Sequence, residues 1–154
     1  MATYLVAFAI LPEDYSKLET RTQNNKPLRV FARKNAVDSG FLDYALNVSK
    51  KLIDYFENVY FDSSLRAVPP KIDHIAFPDF QAGAMENWGL VGYKESNLFF
   101  SESRNTEAGK QGVAAIIAHE TSHFWFGNLG KRDGCCAIFS CPNPIIVGSF
   151  LLLI

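Results

Sequence analysis

The sequence predicts an α+β domain. Three observations lead to this class: short runs rich in β-branched and aromatic residues, two longer segments with helical periodicity, and a composition able to fill one core. The chain has 154 residues, of which 48% are hydrophobic and 14% aromatic. This length and apolar content are typical of one globular domain and not of a disordered chain.

Charge and hydropathy exclude two classes of partner at this stage. The chain has fifteen basic and sixteen acidic residues, which give a formal net charge of −1. A nucleic-acid-binding domain usually carries a basic surface, so we expect no nucleic-acid partner. No uncharged apolar run reaches the roughly 20 residues that a spanning helix needs, so we expect no membrane span. The three cysteines all follow residue 134 and do not indicate a disulfide framework.

Strands are predicted where apolar or alternating runs end at turn signals. Residues 3–10 are apolar and end at Leu11-Pro12, and residues 28–33 alternate after a polar segment that closes with Asn-Asn-Lys-Pro. Further strand predictions fall at residues 71–77, within the glycine-rich stretch 80–93, and at 97–100. His74, inside the strand predicted at residues 71–77, is expected to be a partly exposed structural histidine.

Two helices are predicted from apolar residues spaced three and four apart. The first stripe consists of Phe41, Ala45, Val48, Leu52, Phe56 and Val59. The second helix is expected at about residues 111–126, where Val113, Ala114, Ile117 and Ala118 face inward.

The second helix contains the motif His-Glu-x-x-His, formed by His119, Glu120 and His123. Side chains four residues apart lie on one helix face, so both imidazoles can reach a single metal ion. Glu120 can then act as general base towards a water molecule at that ion. The alternative is two histidines at the edge of the core on an amphipathic helix.

Two motifs together resemble one enzyme family. Residues 83–87 read Gly-Ala-Met-Glu-Asn, and residues 119–129 read His-Glu-Thr-Ser-His-Phe-Trp-Phe-Gly-Asn-Leu. This pair resembles the gluzincin aminopeptidases, the relatives of aminopeptidase N and puromycin-sensitive aminopeptidase. The similarity extends over about residues 2–129, and in it residues 3–8 look like the first strand of the catalytic domain.

The resemblance implies a role for each matching residue. His119 and His123 would bind a Zn²⁺ cofactor, Glu120 would be the general base, and Glu86 would bind the free α-amino group of a peptide substrate. A carboxylate is also the natural partner of an ammonium group, whereas outside this motif Glu86 would be a solvated loop residue. Gly83 and Ala84 would offer backbone to an extended substrate, and Gln81 and Met85 would line the site of its first side chain.

The same resemblance implies the N-terminal half of a thermolysin-like catalytic domain over residues 1–129, with a mixed, mainly antiparallel sheet and packed helices. Residues 130–154 depart from the family and are expected to form an irregular tail. The third zinc ligand of the family, a Glu with eighteen residues between it and the second His, corresponds to Pro142. Asp133, Cys135 and Cys136 are the possible substitutes.

Three functions therefore stay open. The first is a zinc aminopeptidase, and the second is a catalytically inactive, truncated form that acts at most by binding, including association through exposed apolar surface. The third is an endopeptidase of the thermolysin kind, which the amine-binding motif disfavours. The compartment also stays open, because the family includes both cytosolic members and membrane-anchored ectoenzymes.

Overall fold

The computed structural model describes residues 3–60, 69–103 and 105–128. Five strands form one sheet: Tyr15–Arg21 (β1), Pro27–Arg33 (β2), Ile72–Phe77 (β3), Ala84–Met85 (β4) and Leu90–Lys94 (β5). Four α-helices accompany it: Lys34–Asp38 (α1), Asp43–Tyr55 (α2), Glu95–Leu98 (α3) and Glu107–Ser122 (α4). A 3₁₀ turn at Thr3–Leu5 precedes the sheet, and a π-helical turn at Phe56–Tyr60 continues α2.

The sheet is mixed, with strand order β1-β2-β3-β5-β4. The two outer pairings, β1 with β2 and β4 with β5, are antiparallel, whereas β2 with β3 and β3 with β5 are parallel. The predicted α+β class with a mixed sheet and packed helices is thus confirmed. The expected antiparallel majority is not found, because the pairings of the described strands divide evenly.

The sequence pattern of each strand follows from its place in the sheet. In β2, Leu28, Val30 and Ala32 are fully buried while the alternate residues are half-buried. Five of the six residues of β3 are buried, because β3 is the central strand and is covered on both faces. This explains why β2 reads as an alternation and β3 as a nearly continuous buried run.

Helices α2 and α4 contribute to the same hydrophobic core as the sheet. Ala45, Val48 and Leu52 of α2 are buried, in agreement with the predicted stripe. Helix α4 buries the four residues predicted from its sequence: Val113, Ala114, Ile117 and Ala118. It begins four residues earlier than predicted, where the Thr106 hydroxyl accepts a hydrogen bond from the Gly109 amide.

Two of the strand predictions are wrong. Residues 3–10 contain the 3₁₀ turn and no strand, and the first strand is instead the polar segment Tyr15–Arg21. That segment is an edge strand with many exposed side chains, so no apolar run marks it. The predicted extended run at 97–100 overlaps the short helix α3, in which Leu98 is fully buried.

Apolar side chains are exposed near the amino end of the described chain. Val6, Phe8 and Ile10 are 67%, 85% and 88% exposed. Association through exposed apolar surface stays a prediction, and these three side chains are where we expect it to occur. Within the described ranges, every helix is too short or too polar to cross a membrane.

Candidate active site

Helix α4 places its two histidines side by side at its carboxyl end. His119 lies in the last turn, and His123 is the residue that follows Ser122 at the end of the helix. Their Nε2 atoms are 3.1 Å apart. Two nitrogens bound to one tetrahedral zinc at about 2.05 Å would be about 3.3 Å apart. The pair is therefore spaced as two ligands of one metal ion are spaced.

The His123 ring is held by the turn after α4. Its Nδ1 lies 3.2 Å from the Phe126 carbonyl oxygen, which can only accept a hydrogen bond. Gly127 has a φ of +125°, a conformation that favours glycine and that bends the chain at this carbonyl. A histidine whose Nδ1–H is donated to a carbonyl keeps Nε2 available as a metal ligand.

Partial burial favours the neutral form of His119. The pKa of His119 is lowered, first by burial and second by the neighbouring His123, while the charge of Glu86 acts in the opposite direction. A histidine binds metal through a neutral imidazole, so the lowered pKa favours binding at neutral pH.

Glu120 is a buried carboxyl group with unused hydrogen-bonding capacity. Glu120 is only 5% exposed, and its Oε2 has no hydrogen-bond partner among the described residues. Burial, and secondarily the charge of Glu86, raise the pKa of Glu120 to about 8. A buried carboxyl without a partner is unfavourable for stability, and such groups are frequent at functional sites.

Glu86 lies directly after β4 and is also buried. Its Oε1 is 3.9 Å from Nδ1 of His123. Glu86, Glu120 and His123 each offer a potential ligand atom within 4.8 Å of the others. The fold thus brings the Gly-Ala-Met-Glu-Asn motif and the histidine motif into one buried cluster.

The remaining predicted site residues lie in β4 or shortly before it. Ala84 and Met85 form β4 and pair with Tyr93 and Gly92, and no further strand pairs with the outer edge of β4 in the described chain. Gly83 has a φ of +80° and its carbonyl accepts from the Asn97 amide at 3.1 Å. Gln81 is exposed, and no hydrogen bond joins its side chain to the described residues.

His74 corrects one prediction. It is fully buried and not partly exposed, because β3 is the central strand beneath the helices. Its Nδ1 is 3.0 Å from the Tyr93 hydroxyl, and its Nε2 has no hydrogen-bond partner in the described ranges. Burial lowers the pKa of His74 to about 4, against the opposing charge of Asp73.

Two residues near the cluster are not among the predicted site residues. Tyr93 is fully buried, and the pKa of its phenol is raised by burial and then by the charge of Glu120. The Asn128 side-chain amide donates to the Glu86 carbonyl oxygen at 3.1 Å. The uncharged run Leu90–Tyr93 in β5 could have indicated a buried Tyr93, whereas nothing local in the sequence indicates the contact of Asn128.

Comparison with known proteins identifies the family of the chain. The model of the peptidase family M1 domain matches residues 44–131, which is more than half of the chain. Glutamyl aminopeptidase of Bitis rhinoceros is 45% identical over 133 residues, which are 86% of this chain and 13% of that protein. Human aminopeptidase N is 44% identical over 129 residues, which are 84% of this chain and 13% of that protein.

The match is long relative to this chain and short relative to the relatives, since the chain spans about 13% of the length of these proteins. Both motifs lie inside the range that the family model covers. The chain belongs to peptidase family M1.

Proposed function

We propose that this chain provides the zinc-binding and amine-binding part of an aminopeptidase site, which hydrolyses the N-terminal residue from a peptide. The observation that carries this proposal is the buried cluster of Glu86, Glu120 and His123, with His119 Nε2 3.1 Å from His123 Nε2. Two imidazoles and two carboxylates are gathered in one place although their motifs are more than 30 residues apart.

The two histidines provide two of the three protein ligands that a catalytic zinc ion needs. His119 and His123 would hold it through Nε2, since the spacing of these atoms suits two ligands and Nδ1 of His123 faces a carbonyl. When bound, zinc would supply Lewis acidity, polarising both a water molecule and the substrate carbonyl.

Glu120 is the proposed general base. Its carboxylate accepts the proton of the attacking water, and the resulting carboxylic acid then donates that proton to the departing amine. This role requires the carboxylate form. The pKa of about 8 would fall once positive charge is bound at the two histidines, because nearby positive charge favours the ionised carboxyl group.

Glu86 is the proposed binding group for the substrate ammonium. A buried carboxylate close to the histidine pair can form a charge-assisted hydrogen bond to that group, which restricts cleavage to the first peptide bond. The free edge of β4 can pair with an extended substrate at Ala84, whereas the backbone N–H and carbonyl of Gly83 already form hydrogen bonds within the chain. Met85 and Gln81 are proposed to contact the first side chain.

A second candidate is a form that binds without turnover. The observation in its favour is Pro142, which stands where the family resemblance places the third zinc ligand and which has no ligating side chain. Pro142 and the possible substitutes Asp133, Cys135 and Cys136 lie outside the described residues. Loss of one ligand weakens zinc binding and displaces the reacting water.

Aminoacyl-amide hydrolysis separates these candidates. The full chain with zinc is given amides of an acidic and a neutral amino acid, each with a free and with an acetylated amine, and Glu86→Gln serves as the matched variant. The proposal predicts cleavage of free-amine substrates alone, reduced about 10- to 100-fold in the variant. Cleavage of acetylated substrates contradicts amine recognition, and cleavage of neither supports the binding form.

A further inference from the structure

Asn128 connects the two halves of the candidate site. Its backbone N–H donates to the His123 carbonyl oxygen at 3.1 Å, and its side-chain Nδ2 donates to the Glu86 carbonyl oxygen at 3.1 Å. The backbone of Asn128 is therefore fixed to His123, and its side chain is fixed to the segment that carries the buried Glu86 carboxylate.

The hydrogen bonding of Asn128 indicates a specific role. Its Oδ1 is buried without a hydrogen-bond partner among the described residues. Burying an amide oxygen in this way opposes folding, so a general stabilising function would be better served by another side chain. What the amide provides is a donor directed at one carbonyl, that of Glu86.

Glu86 needs such a connection because β4 ends at Met85, one residue before it. On the other side, Asn87 Nδ2 donates to the Tyr4 carbonyl oxygen at 2.9 Å, and the Trp88 amide donates to the Leu5 carbonyl oxygen at 2.9 Å. These contacts anchor the segment to the amino end of the chain. The Asn128 contact joins the same segment to the carboxyl end of α4, where the two histidines lie.

We propose that Asn128 is a positioning residue that sets the separation between the Glu86 carboxylate and the pair His119 and His123. It thereby determines the preference for ligands with a free amine over ligands with a blocked amine. This inference rests on the proposed function, in which Glu86 binds the substrate ammonium.

Three measurements on the full chain test the inference. The first is the ratio of affinities for an amino-acid hydroxamate and its N-acetylated form, measured by calorimetry with zinc present. The second is zinc affinity alone. The third is amide hydrogen exchange of residues 84–88 in the metal-free protein, which requires neither zinc nor substrate.

The variants are Asn128→Ala and the nearly isosteric, uncharged Asn128→Leu, which both remove the donor. Asn58→Ala is the matched control, because Asn58 Nδ2 also donates to a backbone carbonyl, that of Asp54 at 2.7 Å, away from the site. Wild type should prefer the free amine about tenfold or more, as expected for a charge-assisted hydrogen bond. Both Asn128 variants should lower that ratio about fivefold or more and accelerate exchange of 84–88. Zinc affinity should stay within about threefold of wild type, since the ligand atoms are unchanged.

The possible failures are distinguishable. An Asn128 variant that keeps the wild-type ratio and exchange, or that loses zinc affinity by the same factor as the ratio, overturns the inference. Changes of equal size in Asn58→Ala also overturn it, because the effect is then not specific to the site. A wild-type chain without preference for the free amine contradicts the proposed function itself and this inference with it.

Discussion

The Nε2 atoms of His119 and His123 are 3.1 Å apart at the carboxyl end of α4. This contact is a hydrogen bond only when one of the two nitrogens carries a proton, because two bare lone pairs repel each other. A metal ion can take the place of that proton. The helix turn sets the spacing of the rings, and the Phe126 carbonyl fixes the orientation of His123.

The first prediction concerns Glu120→Gln. The substitution keeps the size of the side chain and removes its capacity to accept a proton from water. We expect hydrolysis of a free-amine aminoacyl amide to fall about 10²- to 10⁴-fold. Zinc affinity, measured by competition with a chelator, should change little, because Glu120 is not proposed as a ligand. Hydrolysis at the wild-type rate would show that another group is the base.

The second prediction concerns Gly127→Ala. Gly127 has a φ of +125°, and an added Cβ would lie 3.4 Å from Nδ1 of His123. The strained backbone should lower the free energy of unfolding by about 1–3 kcal/mol. Because the same turn presents the Phe126 carbonyl to His123, zinc affinity should fall as well.

Gly112→Ala is the control for that substitution. Gly112 lies in α4, and an added Cβ there meets nothing within 4 Å. It should raise the free energy of unfolding by about 0.5–1 kcal/mol, since alanine is the better helix former. Urea unfolding of both variants measures the two changes in the free energy of unfolding, which should have opposite signs. Equal effects at the two glycines would contradict the strain argument.

The third prediction concerns the pH dependence of stability at His74. Its pKa is about 4 in the folded chain and 6.5 in the unfolded chain, so the unfolded state binds more protons between these values. The stability that depends on neutral His74 is present above pH 6.5 and is lost as pH falls towards 4. At pH 5 the loss amounts to about 2 kcal/mol.

His74→Gln measures that contribution, because glutamine does not titrate and can still pair with the Tyr93 hydroxyl. The unfolding free energy of wild type minus that of the variant should fall by about 2 kcal/mol from pH 7 to pH 5. A difference that stays constant over this range would show that His74 is not buried in its neutral form.

Much of the fold could be predicted from local pattern. The apolar positions of α2 and α4 follow helical spacing because each helix buries one face in the common hydrophobic core. The motif at His119 to His123 was recognisable because the pairing of its histidines depends only on the geometry of one helix. Strand β2 was recognisable for a similar reason, since its buried face alternates with its outer face.

Features that depend on distant parts of the chain were not predictable. Strand β1 is polar because it lies at the sheet edge, so its pairing with β2 and not its own sequence defines it. His74 is buried because helices cover β3, which the strand sequence does not indicate. The approach of Glu86 to His123, and of Asn128 to Glu86, depends on tertiary packing between segments about 40 residues apart.

Zinc binding by wild type, His119→Ala and His123→Ala tests the central claim most directly. Isothermal titration in chelator-buffered zinc gives the stoichiometry and the affinity, with Gln111→Ala on the exposed face of α4 as the control. We predict one zinc per wild-type chain, a more than about 100-fold weaker affinity in each histidine variant, and no change in the control. Wild-type affinity no tighter than that of His119→Ala and His123→Ala would contradict the account.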